Sequence, residues 1–476
     1  MKISDVKAHH IRIPYDAGVA SFRQGASAIA ALDMVVVEVT TDSGLTGWGD
    51  AFSYVCPRTT HAAISEMIAP QARGQDVPDA AGIPAFMEQI QRNLHLFGRY
   101  GITMFAISGL DIALWDLAAR TQGVPLHKLL GAQKRAKIPA YASLLRIGAA
   151  DLVAGECTKA REQGYSAIKL HETTIAPVNS ARGAIGERIP LMVDMNCPMD
   201  GKTAIAFAHA CREAAPLFLE EPVWPPEDFA VLAEVRKQGG LGVAAGENAC
   251  TAYQFRQMMD AGAVTHAQPS VTKVGGITEF LKVARLADER SVKLMPHSPY
   301  FGPGLLATLH LLSLRDDATF VEIFYMKREA CLWRGRTEPD SDGNVTVPDG
   351  PGLGYEPDRD VMGRYRAAYR SPLLRTFFCV LRGRRLLRLF RRLLRLLDRL
   401  LLFLDELFQR RHGRLQALDL PGGGVDPALL VERKLGDGFL QEIDIALQAA
   451  ELLVGLLDLP AGLDAGNVLG MRARRC

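Results

Sequence analysis

The sequence predicts an α/β protein: a TIM-type (β/α) barrel preceded by an α+β domain and followed by an atypical tail rich in leucine and arginine. Between residues 165 and 323, a short apolar run ending in a polar residue recurs about every 25 residues, the length of one strand, one helix and two loops. Counting the apolar stretch at residues 137–144 gives eight such units, the number that closes a barrel.

The first domain is predicted to span residues 1–130 and to combine a β-meander with helices. Apolar and polar residues alternate near the N-terminus, and Gly44 and Gly47 mark turns. The small residues between the first two strands, at 16–30, predict a mobile loop. From residue 59 onwards, apolar residues recur at helical spacing. Strands followed by a block of helices are typical of a separate α+β domain.

The barrel is predicted to span residues 131–340. Its first strand, IPAYASLL, places Tyr141 and Ser143 near the mouth. Residues 341–370 are rich in turn-forming residues and are predicted to return to the first domain. Helices are predicted between the strands at about 150–163, 201–214, 227–238, 251–261, 275–289 and 303–314.

Polar residues end the successive apolar runs of the barrel. In chain order they are Lys169, His171, Asp194, Glu220, Glu247, Ser270, His297 and Glu322. Because the carboxyl ends of parallel strands meet at one mouth, these side chains should converge there. Three of them, Asp194, Glu220 and Glu247, are carboxylates on consecutive units, which is the oxygen-rich environment that a hard divalent cation requires.

Composition limits the class of protein. A length of 476 residues suggests two or three domains. The hydrophobic content of 48% and charged content of 23% indicate a soluble globular protein, and the net charge of +2 argues against a nucleic-acid partner. The eight cysteines form no CxxC pair, and the N-terminus lacks the apolar core of a signal peptide. We therefore expect reduced thiols and a cytoplasmic protein.

An ordered set of motifs runs through residues 1–370. In chain order they are GWGD, GLDIALWDLAARTQGVPLHKLLGA, AIKLH, LMVDMN, FLEEPV, AGEN, KVGGITEF, MPHS, Glu322 and PDGPGLG. Together they resemble the enolase superfamily, and within it the mandelate racemase/muconate lactonizing enzyme-like branch. The resemblance implies an N-terminal capping domain over a barrel with one Mg²⁺, and abstraction of the proton beside the carboxylate of a small acid to give an enediolate. It also implies a homo-oligomer.

The predicted metal ligands suit this chemistry. Removing a proton next to a carboxylate puts a second negative charge on the same small group, so a base alone is insufficient at neutral pH. Mg²⁺ bound by Asp194, Glu220 and Glu247 would neutralise that charge as it forms. Glu221 is expected to point sideways into a supporting hydrogen bond. Asn196 is two residues beyond Asp194 on the same side of the strand, where it can contact substrate or water.

Lys169 and His171 are separated by one residue, so a strand directs both into the mouth. Members of this branch usually carry Lys-x-Lys here. By position, Lys169 should pair with the substrate carboxylate, and His171 occupies the place of the proton-abstracting lysine. A histidine can act as a base near neutral pH with little tuning. The alternative is a structural histidine bonded to the neighbouring strand.

His297 matches a histidine that relatives use as a second base or as the acid that expels a leaving group. Relatives orient it with an aspartate, but this chain has Ser270, which cannot stabilise an imidazolium as a carboxylate can. A structural role for His297 stays open. Lys273 could supply a cation near the metal or serve structure alone. Glu322 is expected to hydrogen-bond the enediolate when protonated, and otherwise it is an ordinary acid facing water.

Two reactions can follow from the enediolate. A second base on the opposite face gives racemisation or epimerisation, whereas an acid that protonates a β-hydroxyl gives dehydration. Because Ser270 replaces the usual partner of His297, we favour a lyase that dehydrates a sugar acid or related β-hydroxy acid to a 2-keto acid. The alternatives are a racemase or epimerase of an α-substituted carboxylic acid, and a catalytically idle metal-binding relative. Specificity is expected in the loops at 21–27 and 51–58.

The tail at residues 371–476 falls outside the resemblance. Its first part, 371–400, is crowded with leucine and arginine at helical spacing. One interpretation is a basic amphipathic helix that contacts an anionic membrane surface or a partner. The other is an appended or out-of-frame sequence without an evolved role. The tail contains no uncharged apolar span long enough for a transmembrane helix.

Overall fold

An antiparallel sheet forms the N-terminal region of the computed structural model, which describes residues 1–20, 23–24, 27–317, 319–333 and 337–367. The predictions for the tail at 371–476 lie outside the described residues. The first five strands are β1 (Ile3–Asp16), β2 (Arg23–Gln24), β3 (Ser27–Ala28), β4 (Ala31–Thr41) and β5 (Thr46–Ala51). β1 pairs with β4, and β4 pairs with β5. The stretch expected to be a mobile loop contains the short hairpin of β2 and β3.

A block of helices follows this sheet, as the sequence predicts. The helices are α1 (Pro57–Ala63), α2 (Ala69–Ala72), α3 (Ile83–Asn93), α4 (Gly101–Thr121) and α5 (Leu126–Leu130), with a π-helical turn at Ile64–Ile68. α4 packs on β5 at very close range: a Cβ on Gly47 would lie 2.3 Å from the Ala113 carbonyl oxygen, and one on Gly49 would lie 1.9 Å from that of Gly109. Only glycine allows this approach.

α4 is apolar on all sides because other elements surround it. Among the described residues it is the one helix with the length and apolar composition to cross a membrane, and 89% of its most apolar window is buried inside the protein. Helices that are hydrophobic all round belong either to a core or to a membrane. The burial identifies α4 as a core helix.

Eight parallel strands form the predicted barrel, which is confirmed. They are β6 (Lys137–Ser143), β7 (Ala167–Leu170), β8 (Leu191–Asp194), β9 (Leu219–Glu220), β10 (Val243–Ala245), β11 (His266–Ala267), β12 (Lys293–Leu294) and β13 (Val321–Phe324). Strand pairing runs in chain order from β6 to β12, and β13 pairs with β6. At the junction between β12 and β13, the Ser298 amide donates to Glu322 Oε2 at 3.0 Å, and the Glu322 amide donates to Ser298 Oγ at 3.2 Å.

Helices alternate with these strands. They are α6 (Ala150–Glu162), α7 (Ile175–Ile185), α8 (Gly201–Ala210), α9 (Phe229–Gly239), α10 (Thr251–Asp260), α11 (Gly276–Glu289) and α12 (Pro303–Ser313). The six predicted helices are present, although α8 ends at Ala210 and a 3-10 turn, Arg212–Ala214, completes the predicted segment. α7 was not among the predicted helices.

The last described elements contact both the N-terminal sheet and the barrel. β14 (Lys327–Arg328) pairs with the end of β1, and β15 (Asn344–Thr346) runs antiparallel to β6. α13 (Arg359–Tyr365) follows, and the Ala367 amide then donates to the His10 carbonyl at 2.9 Å. Residues 1–367 form one unit, so the boundaries predicted at 130 and 340 stay predictions.

The inward side chains of the barrel explain how the site is built. A buried apolar layer crosses the interior and consists of Tyr141, Ala167, Met192, Phe218, Ala244 and Met295. Side chains along a strand alternate between the two faces, so the residue two positions further along points inward again, one layer nearer the mouth. After Ala167, Met192 and Phe218 these residues are Lys169, Asp194 and Glu220.

Candidate active site

Three carboxylates converge at the carboxyl ends of adjacent strands. Asp194 ends β8 and lies opposite Glu220 in β9, while Glu247 follows the end of β10. One oxygen from each carboxylate lies within 4.8 Å of the other two. Asp194 and Glu220 are buried, and Glu247 is partly buried. The predicted cluster therefore exists, and its all-oxygen donor set fits a hard divalent cation such as Mg²⁺.

The pKa values of the cluster reflect crowding of negative charge. Burial, followed by repulsion from Asp194, raises the pKa of Glu220 well above its usual value. Burial also opposes ionisation of Asp194, but attraction to His171 and Lys169 outweighs it and lowers the pKa of Asp194 to about 2. Burial likewise opposes ionisation of Glu247, but attraction to His297 and Lys273 outweighs burial and lowers the pKa of Glu247. A cation bound among these groups would relieve the repulsion.

Lys169 is the buried counter-charge beneath the cluster. Its Nζ lies 3.0 Å from Glu220, 3.3 Å from Asp194 and 2.9 Å from Glu322. Burial alone would lower the pKa of Lys169, but the attraction of these carboxylates raises it well above its usual value. Lys169 is therefore an ammonium ion that holds three acidic side chains in place.

His171 is held through one ring nitrogen and directs the other towards the cluster. Nδ1 lies 2.5 Å from the Leu144 carbonyl oxygen, so it carries a proton and donates. Nε2 lies 3.1 Å from Asp194 Oδ2. Burial lowers the pKa of His171, but Asp194 outweighs that effect and raises it. The bond to the end of the neighbouring strand, expected for a structural histidine, thus also orients Nε2 into the site.

His297 occupies the other end of the cluster. Its Nε2 lies 2.7 Å from Glu247 Oε2. Its Nδ1 faces two hydroxyl groups, Ser270 Oγ at 3.3 Å and Tyr300 Oη at 3.2 Å. The sequence analysis singled out Ser270 but missed Tyr300, although the motif HSPY places it three residues after His297.

Glu322 lies beside Lys169, and its expected role as a protonated donor to the enediolate stays a prediction. Burial favours the neutral acid, but Lys169 and His297 outweigh burial and lower the pKa of Glu322. Its Oε1 pairs with Lys169 at 2.9 Å, and its Oε2 accepts the Ser298 amide. In this arrangement Glu322 is a carboxylate, because a buried ammonium ion lies directly beside it.

The remaining predicted residues occupy different depths. Tyr141 and Ser143 are fully buried in the barrel, and Lys169 Nζ lies 5.6 Å from the centre of the Tyr141 ring. Neither residue lines the cavity at the mouth, where they had been placed. Asn196 does line that cavity, and its side-chain amide donates to Asp194 Oδ1 at 2.9 Å.

Lys273 and Glu221 support the cluster from outside the cavity lining. Lys273 Nζ lies 3.5 Å from Asn248 Oδ1 and 4.6 Å from the centre of the Phe52 ring. Glu221 accepts hydrogen bonds from Asn248 Nδ2 at 2.7 Å and from the Cys197 thiol at 3.3 Å. Burial, together with repulsion from Glu247, raises the pKa of Glu221 to about 8. Glu221 thus points sideways and does not join the three oxygens of the cluster.

A cavity of about 570 Å³ opens above the carboxylates. The loop at 51–58 contributes Phe52, Tyr54 and Val55 to its wall. Arg146, which the sequence analysis missed, adds a guanidinium group and donates through Nε to the His171 carbonyl at 2.8 Å. The side chains of the other predicted specificity loop, 21–27, lie outside the described residues. The cavity lining comprises Phe52, Tyr54, Val55, Leu145, Arg146, His171, Met195, Asn196, Pro198, Glu247, His297, Pro299, Glu322 and Phe324.

Comparisons with known proteins agree with this architecture. Residues 18–131 match the family described as mandelate racemase/muconate lactonizing enzyme, N-terminal domain, and residues 152–361 match enolase C-terminal domain-like proteins. D-galactonate dehydratase from Ralstonia nicotianae is 31% identical over 367 residues, which cover 71% of this chain and 93% of that protein. D-galactarolactone cycloisomerase from Agrobacterium fabrum is 30% identical over 388 residues, covering 77% and 99% of the two chains.

A solved structure extends the similarity to a metal complex. The mandelate racemase/muconate lactonizing protein from Paracoccus denitrificans complexed with magnesium has a TM-score of 0.67 and 26% sequence identity, and the match covers 77% of this chain and 98% of that one. The two family matches together cover the capping region and the barrel, and the two curated relatives match 71% and 77% of this chain. The chain therefore belongs to the mandelate racemase/muconate lactonizing enzyme branch of the enolase superfamily and is an enzyme of that branch.

Proposed function

We propose that this enzyme dehydrates a sugar acid or related β-hydroxy acid to a 2-keto acid. One arrangement carries the proposal: two histidines flank the carboxylate cluster, with His171 against Asp194 and His297 against Glu247. Both line the same cavity. An acid–base pair at the two ends of one site suits a reaction that removes a proton from one carbon and a hydroxyl from its neighbour.

The substrate class follows from the relatives and from the charge of the site. The similar proteins named D-galactonate dehydratase and D-galactarolactone cycloisomerase act on sugar acids or their lactones, as their names state. Bound Mg²⁺, held by Asp194, Glu220 and Glu247, would bind carboxylate oxygens and offset the second negative charge that proton removal creates. Arg146 lines the same cavity and offers a planar donor to an anionic or hydroxylated substrate.

His171 is the proposed base. Its Nδ1 donates its proton to the Leu144 carbonyl, so the neutral imidazole accepts the α-proton at Nε2. The electron pair of the broken carbon–hydrogen bond then becomes part of the enediolate. Lys169 was expected to pair with the substrate carboxylate. Its position beneath Glu220 and Glu322 lets the same ammonium group oppose the growing negative charge from below.

His297 is the proposed acid. The enediolate electron pair forms the new carbon–carbon double bond as the carbon–oxygen bond to the β-hydroxyl breaks. Protonated His297 supplies a proton from Nε2, so the group leaves as water. The resulting enol takes up a proton at the β-carbon and releases its α-hydroxyl proton to solvent, which gives the 2-keto acid. Because Ser270 and Tyr300 are neutral, they stabilise the imidazolium less than a carboxylate would, which favours this proton donation.

The test is a screen of sugar acids with the Mg²⁺-loaded enzyme in deuterium oxide. We expect release of a 2-keto acid, loss of dehydration in His297→Asn, and a fall in α-proton exchange of at least about 100-fold in His171→Ala. The surface variant His95→Gln is the control. Undiminished exchange in His171→Ala would rule out His171 as the base.

The same screen separates the alternatives. Inversion at the α-carbon without keto-acid release would establish a racemase or epimerase and overturn the dehydratase proposal. Mg²⁺ binding without exchange on any acid of a broad panel would establish a binding protein that has lost catalysis.

A further inference from the structure

Two hydroxyl groups lie against the Nδ1 side of the His297 imidazole. Ser270 Oγ and Tyr300 Oη lie 3.3 Å and 3.2 Å from His297 Nδ1, and the two hydroxyls also contact each other. All three side chains are buried. Three polar atoms thus form a closed triangle on the side of the ring that faces away from Glu247.

Tyr300 is itself rigidly held. Its amide donates to the Ser298 carbonyl at 2.6 Å, and its ring meets the His297 ring edge-on, with centroids 5.9 Å apart and planes at 80°. A Cβ on Gly304 would lie 3.1 Å from Tyr300 Cδ2, so α12 begins directly against the phenol ring. Burial raises the pKa of Tyr300, and its hydroxyl therefore keeps its proton. The phenol can both donate and accept a hydrogen bond.

Two neutral hydroxyl groups beside His297 avoid the charge repulsion that a further carboxylate would cause there. The mouth already contains Asp194, Glu220, Glu247 and Glu322. A further buried carboxylate beside Glu247 would increase the repulsion that raises the pKa of Glu220. Two hydroxyls provide directional hydrogen bonds without adding charge, and they can serve Nδ1 whether it carries a proton or not.

We propose that Tyr300 is a positioning residue, which acts with Ser270 to fix the imidazole of His297 so that Nε2 faces the cavity. Without Tyr300, Ser270 alone provides one flexible contact, and the ring can rotate about its Cβ–Cγ bond. The expected effect on the rate of dehydration rests on the proposed function. The hydrogen bond between the His297 ring and Tyr300 does not, because it needs no substrate.

The kinetic test compares Tyr300→Phe with the wild-type enzyme. This variant removes one oxygen atom and keeps the ring that packs against α12. We expect kcat for dehydration to fall about 10- to 100-fold with KM nearly unchanged, as is typical when a supporting hydrogen bond is lost. Exchange of the α-proton with deuterium should continue at nearly the wild-type rate, because His171 is held separately by Leu144. A general structural defect would slow exchange and dehydration together, which would overturn the proposal.

Tyr165→Phe is the matched control. It deletes the same atom from a partly buried tyrosine whose ring packs against Tyr325 outside the barrel mouth. It should leave both rates unchanged. Equal losses in Tyr165→Phe and Tyr300→Phe would contradict a specific role for Tyr300.

A second measurement needs no substrate. Long-range ¹H–¹⁵N correlation spectra of the histidine side chains, with His297 assigned from its absence in His297→Asn, report directly on Nδ1. We expect the Nδ1 signal of His297 to shift in Tyr300→Phe while the signals of His171 stay in place. An unmoved His297 signal would overturn the inference even if dehydration is confirmed. A shifted signal in a protein that dehydrates no acid would leave the contact established and refute the proposed function alone.

Discussion

Asp194 and Glu220 lie opposite each other on neighbouring parallel strands, and the ammonium group of Lys169 lies within 3.3 Å of both carboxylates. In-register pairing places the two acids on the same level of the barrel, so their negative charges repel each other. Lys169 offsets part of that repulsion from below, while the side facing the cavity is where a divalent cation would bind. The predictions below test this balance of charge and the packing that supports it.

Removing one carboxylate should weaken metal binding. In Glu220→Gln the side chain keeps its shape but loses its charge, and we expect Mg²⁺ affinity to fall on the order of 10- to 100-fold, since affinity depends on the number of charged ligands. Isothermal titration calorimetry measures the dissociation constant. The control is the exposed residue Glu187, changed to Gln. Equal affinity in the two variants would place the metal elsewhere.

Removing Lys169 should destabilise the metal-free protein. Lys169→Met leaves the buried carboxylates of Asp194 and Glu322 without this counter-ion, which costs about 3–5 kcal/mol of unfolding free energy for a broken buried pair. Saturating Mg²⁺ should restore part of this loss, because a ligand that binds only the folded state stabilises it. Urea denaturation with and without Mg²⁺ measures both effects. The exposed Lys237→Met is the control, and equal stability of the two variants would contradict the prediction.

The contact between α4 and β5 predicts opposite effects for two glycines. Gly49→Ala would place a methyl group 1.9 Å from the Gly109 carbonyl oxygen and should lower the unfolding free energy by about 3 kcal/mol. In α7, a Cβ on Gly183 meets no atom within 4 Å. Gly183→Ala should therefore stabilise the protein by about 0.5–1 kcal/mol, because alanine favours a helix more than glycine does. Thermal unfolding distinguishes the two, and a neutral Gly49→Ala would show that the sheet and helix can separate without cost.

A buried histidine pair away from the site predicts sensitivity to acid. His310 Nδ1 lies 3.1 Å from His127 Nδ1, and burial lowers the pKa of His310 to about 3. An unfolded histidine titrates near 6.5. At pH values between these two pKa values, His310 is protonated in the unfolded chain but not in the folded protein. The unfolding free energy should therefore fall by up to about 1.4 kcal/mol for each unit that the pH decreases.

Other groups titrate in the same pH range, so the test compares a His310 variant with the wild-type protein. Urea denaturation between pH 7 and about pH 5 measures the unfolding free energy of both. His310→Gln should be less stable than the wild type at pH 7, and the difference between the two proteins should shrink as the pH falls. The exposed His209→Gln should keep a constant difference. A constant difference for His310→Gln as well would show that His310 is accessible to protons in the folded state.

Most of the fold was predicted from the spacing of apolar residues along the chain. The recurring apolar runs identified the barrel strands and the residues at their ends, because alternation along a strand determines which side chains point inward. α7 was not predicted because its sequence, IAPVNSARGAI, contains proline, asparagine, serine and glycine, which weaken the helical pattern. The helix nevertheless forms, with Val178, Ala181 and Ile185 buried against the barrel.

The chain by itself determined that Asp194, Glu220 and Glu247 converge, since strand order and side-chain alternation follow from short-range spacing. Only the tertiary structure decided how their neighbours interact. Whether Glu322 is charged depends on Lys169, which is 153 positions away in sequence and 2.9 Å away in space. The hydroxyls that contact His297 belong to Ser270 and Tyr300, which come from different strand-end loops. Such contacts depend on side-chain direction and burial, which arise when distant segments pack together.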